Sequence, residues 1–212
     1  PKNVNMWVAG IDFYSRFLRS REKAVGVLNQ LAADRSFAPQ QRAFMLAELY
    51  RQLGMPDETR KHYLKAAVSS WKCDDLLSMQ VLVRVAAYYQ HESPQFAVSV
   101  ARQVIAAQPE NAENTAAAIA DVKANAKLTL ANLLIDAGDP ASLDEAETIL
   151  NAGFSRADGL EPLPVIRTRI RYLYQRGTPR DLDQAIEVSE GILTKTSDDL
   201  RMTARVYEKR EH

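Results

Sequence analysis

Apolar and small residues return along this chain at steps of three, four and seven, the spacing of one helix face. The clearest stretch lies between Gln40 and Ala67. Ala43, Leu46, Ala47 and Tyr50 mark the inner face of a first helix. Gly54 breaks it, and Pro56-Asp57-Glu58 opens a second, with proline at the first turn and acids beside the positive helix end. Thr59, Tyr63 and Ala66 then form the inner stripe of that second helix. Ala47 is small where the two helices must cross closely, and Tyr50 fills the space beyond it. The stretch therefore predicts an antiparallel helical hairpin, with a packing reason for each of its marked residues.

These residues resemble the tetratricopeptide repeat family, whose pattern pairs a small residue and a tyrosine on one helix with alanine, an aromatic and alanine on the next. Thr59 stands where the family usually has alanine, and Trp71 stands near the place of its closing proline. The resemblance implies an all-α fold, a right-handed α-solenoid of helix pairs each packed on its neighbours. It also implies a concave groove lined by the first helix of every pair.

The pattern recurs. A shift of 38 residues carries Tyr50 to Tyr88, Thr59 to Ala97 and Tyr63 to Ala101, and that unit closes at Gln108-Pro109-Glu110-Asn111. A shift of 39 carries Leu134, Gly138, Pro140, Leu143, Asp144 and Ala146 onto Leu173, Gly177, Pro179, Leu182, Asp183 and Ala185. Both of these later units are expected to carry a turn about three residues longer than the family's usual one, through Asp139-Pro140-Ala141 and Thr178-Pro179-Arg180. A weaker first pair has Trp7, Ile11 and Tyr14 on one helix and Ala24, Leu28 and Leu31 on the next. Ser197-Asp198-Asp199 reads as an N-cap followed by acids, starting a last helix with Leu200, Ala204 and Tyr207. The expected organisation is one repeat domain over residues 1–212. It has hairpins at 4–37, 40–73, 76–109, 113–152 and 163–195 and an unpaired helix at 198–210, as a piece of a longer protein. Pro109–Thr115 and Phe154–Pro164 are the expected breaks.

Composition narrows the function. The 212 residues carry 27 basic and 27 acidic side chains. A balanced chain has no global field to draw it onto nucleic acid or an anionic membrane. Eight glycines and 46 % apolar residues favour helix and supply a core. No signal-peptide layout and no run near the length of a membrane span occurs in this stretch, and the compartment stays open. Cys73 is the single cysteine, which excludes an intrachain disulfide framework. His62, His91 and His212 have no partner at metal-ligand spacing, and His62 is expected on the outer face of its helix. There is no phosphate-binding glycine loop and no nucleophile elbow. The expectation is a chain without catalysis, metal or cofactor.

The stretch Arg167 to Arg180 holds five arginines and two tyrosines. Helical geometry splits them: Arg167, Arg171 and Tyr174 share one face, and Arg169, Tyr172 and Arg176 another. By analogy with the family the first face looks into the groove. There its planar guanidinium forks suit an acidic or carboxylate group, while a solvated basic helix is the plainer alternative. Carried back along the chain, the same phase gives Phe44, Glu48 and Arg51, then Leu82, Ala86 and Tyr89, then Leu128, Asn132, Ile135 and Asp136. Asn132 fits a two-carboxylate clamp known in the family, but Leu128 and Thr168 do not supply its other members. The candidate binding residues are thus Phe44, Glu48, Arg51, Leu82, Tyr89, Asn132, Asp136, Arg167, Arg171 and Tyr174. This mixed surface suits a peptide or protein ligand better than a phosphate backbone, and the groove positions show no repeated reading residue for RNA. The expected function is a protein-interaction scaffold. The alternative is a helical accessory region of a larger enzyme or of a secretion or assembly protein, packing on neighbouring domains or on its own copies.

Overall fold

The structure, a computed structural model, describes residues 4–109, 115–154 and 161–211. Of these, 81 % are helical, in eleven helices with no strand among the described residues. Consecutive helices pack on their neighbours, so the all-α architecture of stacked helix pairs stands. Two compact units emerge, residues 1–122 and 123–212.

The first unit begins with α1 (Val4–Asp12), which runs into a π-helical turn at Phe13–Phe17. Then follow α2 (Arg21–Ala33), α3 (Pro39–Gln52), α4 (Pro56–Ser70), α5 (Leu76–Tyr89) and α6 (Pro94–Ala106). The helix α7 (Ala116–Ala137) contains the boundary between the units. In the first unit α1 packs on α2, α2 on α3, α3 on α4, α4 on α5 and α5 on α6, with α3 also touching α5. Its core starts as a cluster of Ile11, Leu28, Leu31, Phe37, Met45, Leu46, Leu49 and Tyr50. Ala24, Ala47, Ala66, Ala97 and Ala101 are all fully enclosed, so small side chains stand where helices approach closely. Each buried leucine adds about 1.5–3 kcal/mol relative to exposure.

The second unit continues with α8 (Pro140–Asn151), α9 (Leu163–Arg176), α10 (Pro179–Glu190) and α11 (Ser197–Glu211). Here α8 packs on α9, α9 on α10, α10 on α11, and α9 also meets α11. Leu130, Leu134, Leu150, Val165, Leu182, Ala185 and Val206 are buried.

The corners explain where helices stop. Gly138 and Gly177 hold φ of 71° and 67°, a left-handed conformation that only glycine adopts without a Cβ clash. The Gly177 amide donates back to Leu173 at 3.0 Å. Asp139 and Thr178 follow immediately as N-caps, accepting from the amides of Ser142 and Asp181, and proline takes the first helical position in both. These turns are therefore short. The longer turns expected through Asp139-Pro140-Ala141 and Thr178-Pro179-Arg180 do not form, because Pro140-Ala141 and Pro179-Arg180 already belong to the first turn of α8 and α10. At the start of α11 the cap is Thr196, one residue before the expected Ser197. Thr196 Oγ1 accepts from the Asp199 amide, and Asp199 Oδ2 accepts from the Thr196 amide at 2.8 Å, a reciprocal capping box. The expected breaks at Pro109–Thr115 and Phe154–Pro164 fall largely outside the described residues.

His62 also departs from expectation. Its side chain is only 12 % exposed, and its ring stacks on Tyr50 with centroids 5.2 Å apart. Nδ1 is buried without a partner, and Nε2 lies 3.8 Å from Glu58. Desolvation lowers its pKa below the ordinary 6.5, against the raising effect of Glu58 and with help from Lys61 and Lys65. The folded state thus favours neutral imidazole. As pH falls through about 6.5, the unfolded chain takes up this proton first, so stability is lost from that point downward. The melting temperature is expected to fall as pH drops below about 6.5, and His62→Phe should flatten that limb. An identical limb in the variant would remove His62 as its source.

Candidate functional site

In the first unit, α3 brings Phe44, Glu48 and Arg51 to one face. The Phe44 ring meets Tyr63 edge-on at 6.2 Å. Glu48 accepts from the Tyr63 hydroxyl and pairs with Arg51 at 2.8 Å. Tyr63 is buried and stacks on Tyr88 at 4.2 Å. Burial first, then the Glu48 hydrogen bond, pushes the Tyr63 hydroxyl far above its ordinary range.

Leu82 and Tyr89 do not join this face. They are 0 % and 4 % exposed; Tyr89 donates to the Arg60 carbonyl at 3.2 Å, and burial pushes its hydroxyl up to about 12. The cause is a change of register. Tyr89, not Tyr88, holds the buried position of Tyr50, a shift of 39 residues, whereas Ala97 and Ala101 keep the shift of 38 from Thr59 and Tyr63. The stretch from the buried tyrosine to the proline that opens the next helix is one residue shorter here, Tyr89 to Pro94 against Tyr50 to Pro56. The residues that follow Phe44, Glu48 and Arg51 in phase are Val83 and Ala87 of α5 and Gln90 just after it, which are half-buried or exposed. The adjacent tyrosines Tyr88 and Tyr89 hid this single-residue slip.

In the second unit the structure brings three of the predicted residues, Asn132, Asp136 and Arg171, together. Arg171 reaches from α9 to Asn132 and Asp136 on α7, both at 2.5 Å. Asn132 also donates to Thr168 at 3.2 Å. Arg167 reaches the other way, forking onto both oxygens of Asp199 on α11 at 2.7 Å. Lys209 of α11 lies 4.5 Å over the Tyr174 ring and donates to its carbonyl. Arg167 and its cap partner Thr196 hold the Asp199 carboxyl well below the usual carboxylate range. The opposite face of α9 is likewise occupied: Arg169 pairs with Glu161 at 2.6 Å, and Arg176 donates to Tyr172 and meets Asp181 at 3.2 Å. The two arginine faces separate as their spacing required. Their guanidiniums, however, are met by this chain's own carboxylates.

Between α9, the end of α10 and α11 lies a cleft of about 550 Å³. Ile170, Ile192 and Met202 give it an apolar side, and Arg167, Arg201 and Arg205 edge it. Arg201 is held loosely by Asp198 at 3.4 Å, with both side chains exposed. Arg205 has no ion pair among the described residues. Neither Arg201 nor Arg205 was singled out in the sequence, where the last helix reads as unpaired; their spacing of four beside Met202 was the available signal.

Cys73 is 1 % exposed, and burial, aided by Asp74 and Asp75, pushes its thiol up to about 11; that is an inert packing thiol. Among the described residues no group of His, Cys, Asp and Glu could hold a metal ion. No described helix is long and apolar enough to cross a membrane. No family model matches the chain, and no curated protein matches it.

Proposed function

We propose that this chain is a non-catalytic scaffold of tetratricopeptide-like hairpins that binds a peptide or protein partner. The observation that carries the reading is the α9–α11 cleft, where an apolar wall stands beside guanidiniums that are loosely held or unpaired. Such a site suits an apolar anchor side chain next to an acidic or carboxylate group. Arg167 and Arg171 frame it and, being already neutralised, fix its shape. Arg205 supplies the charge that a ligand can claim.

Panning a displayed random-peptide library against the chain tests this. Peptides pairing an acidic with an apolar residue are expected to enrich. Arg205→Glu should weaken them by about tenfold or more, the worth of one charge-assisted hydrogen bond, with unchanged melting. Arg171→Glu is a poorer probe, because it sets a second carboxylate against Asp136. Enrichment that ignores Arg205→Glu would reject the cleft, and no enrichment would reject the peptide reading. The second reading, a helical region that packs on neighbouring domains, draws on Leu193, Leu200 and Tyr207. These stand 101 %, 57 % and 41 % exposed in and before α11.

A further inference from the structure

The first hairpin presents large apolar side chains outward. Met6, Phe13, Phe17 and Leu18 are 71 %, 50 %, 79 % and 51 % exposed. Single exposed apolar residues need no explanation, but four within thirteen positions form a patch. The rings of Phe13 and Phe17 lie 6.3 Å apart and nearly parallel, so they stand together as one wedge. Near them in the chain is a cleft of about 340 Å³ lined by Asp12, Ser15, Arg16, Arg19, Arg21, Gln52 and Leu53. Asp12 meets Arg16 at 3.3 Å across an exposed contact. Arg19 and Arg21 have no ion pair among the described residues. The chain as a whole is neutral, yet this end of it is cationic.

We infer that this end docks on an anionic phospholipid surface. The arrangement puts apolar groups in relief and polar groups in recess. A bilayer interface asks for that order: protruding rings enter the boundary of the acyl chains, while guanidiniums behind them meet phosphate oxygens through paired N–H donors. A peptide partner would instead need a recessed apolar slot, and none of Met6, Phe13, Phe17 and Leu18 lines the cleft. The inference stands apart from the α9–α11 cleft and does not rest on it.

Co-sedimentation with vesicles tests it, using phosphatidylcholine alone and phosphatidylcholine mixed with phosphatidylserine. The chain is expected to partition onto the mixed vesicles at least about tenfold more strongly, with binding weakened by salt. Arg16→Gln with Arg21→Gln should lower that partition about tenfold or more, since each surface cation contributes about a fivefold factor. Phe17→Ser should lower it as well. Both variants alter exposed side chains, and circular dichroism and melting should match the parent chain. Equal binding to both vesicle types, or none to either, would overturn the inference. So would competition by millimolar inorganic phosphate alone, which would mark a simple anion pocket. Self-association seen by light scattering and abolished by Phe17→Ser would assign the patch to a second copy of the chain and overturn it too.

Discussion

Replacing Tyr63 by alanine is expected to destabilise the first unit by about 3–5 kcal/mol, the usual cost of emptying a large aromatic site. Tyr63 is 2 % exposed and sits where α3, α4 and α5 meet. Its ring stacks on Tyr88 and meets the edge of Phe44. Truncation leaves a cavity that fixed helix backbones cannot close, and it removes the hydroxyl that Glu48 accepts. Tyr63→Phe separates these effects. It keeps the ring and the stack, so its cost should be about 1 kcal/mol, that of a single hydrogen bond. Chemical denaturation of the three proteins measures both values. A Tyr63→Ala cost under about 1 kcal/mol would mean that the α3–α5 interface collapses around the loss.

Ala47→Leu is expected to cost about 1–3 kcal/mol by the opposite route. Ala47 is fully enclosed on the face of α3 that meets α4. A longer side chain there forces the helices apart or itself out of its preferred rotamers. Ala47→Ser changes the volume little and should cost less. If leucine were accepted without loss in a thermal melt, the close crossing inferred from small residues would be wrong.

The helix pairs were legible because periodicity and corner residues pointed the same way. Ala47, Tyr50, Thr59 and Tyr63 were expected inside, and all four are buried. Gly54, Gly138 and Gly177 were expected at breaks, and all three hold positive φ. What failed was register and partnership. Two neighbouring tyrosines stand in α5, and the spacing of Tyr50 to Pro56 is repeated by Tyr88 to Pro94, whereas the structure buries Tyr89. His62 was assigned outward from its place next to Tyr63, although a ring flanking a buried stripe can still fold back onto Tyr50. Two of the α9 arginines, Arg167 and Arg171, find their partners about 35 residues away in sequence, on α11 and α7. No local pattern reveals such distant carboxylates. The α9–α11 cleft was missed for the same reason, since its walls come from separate helices.

Asp199 performs two tasks at once: it neutralises Arg167, and it fastens the opening turn of α11 through Thr196. An anion that captured Arg167 would set this carboxylate adrift and loosen the turn with it. The strength of any such capture therefore includes the work of unwinding a helix end. Occupancy at that guanidinium and order in the final rod of the chain are, through one side chain, a single equilibrium.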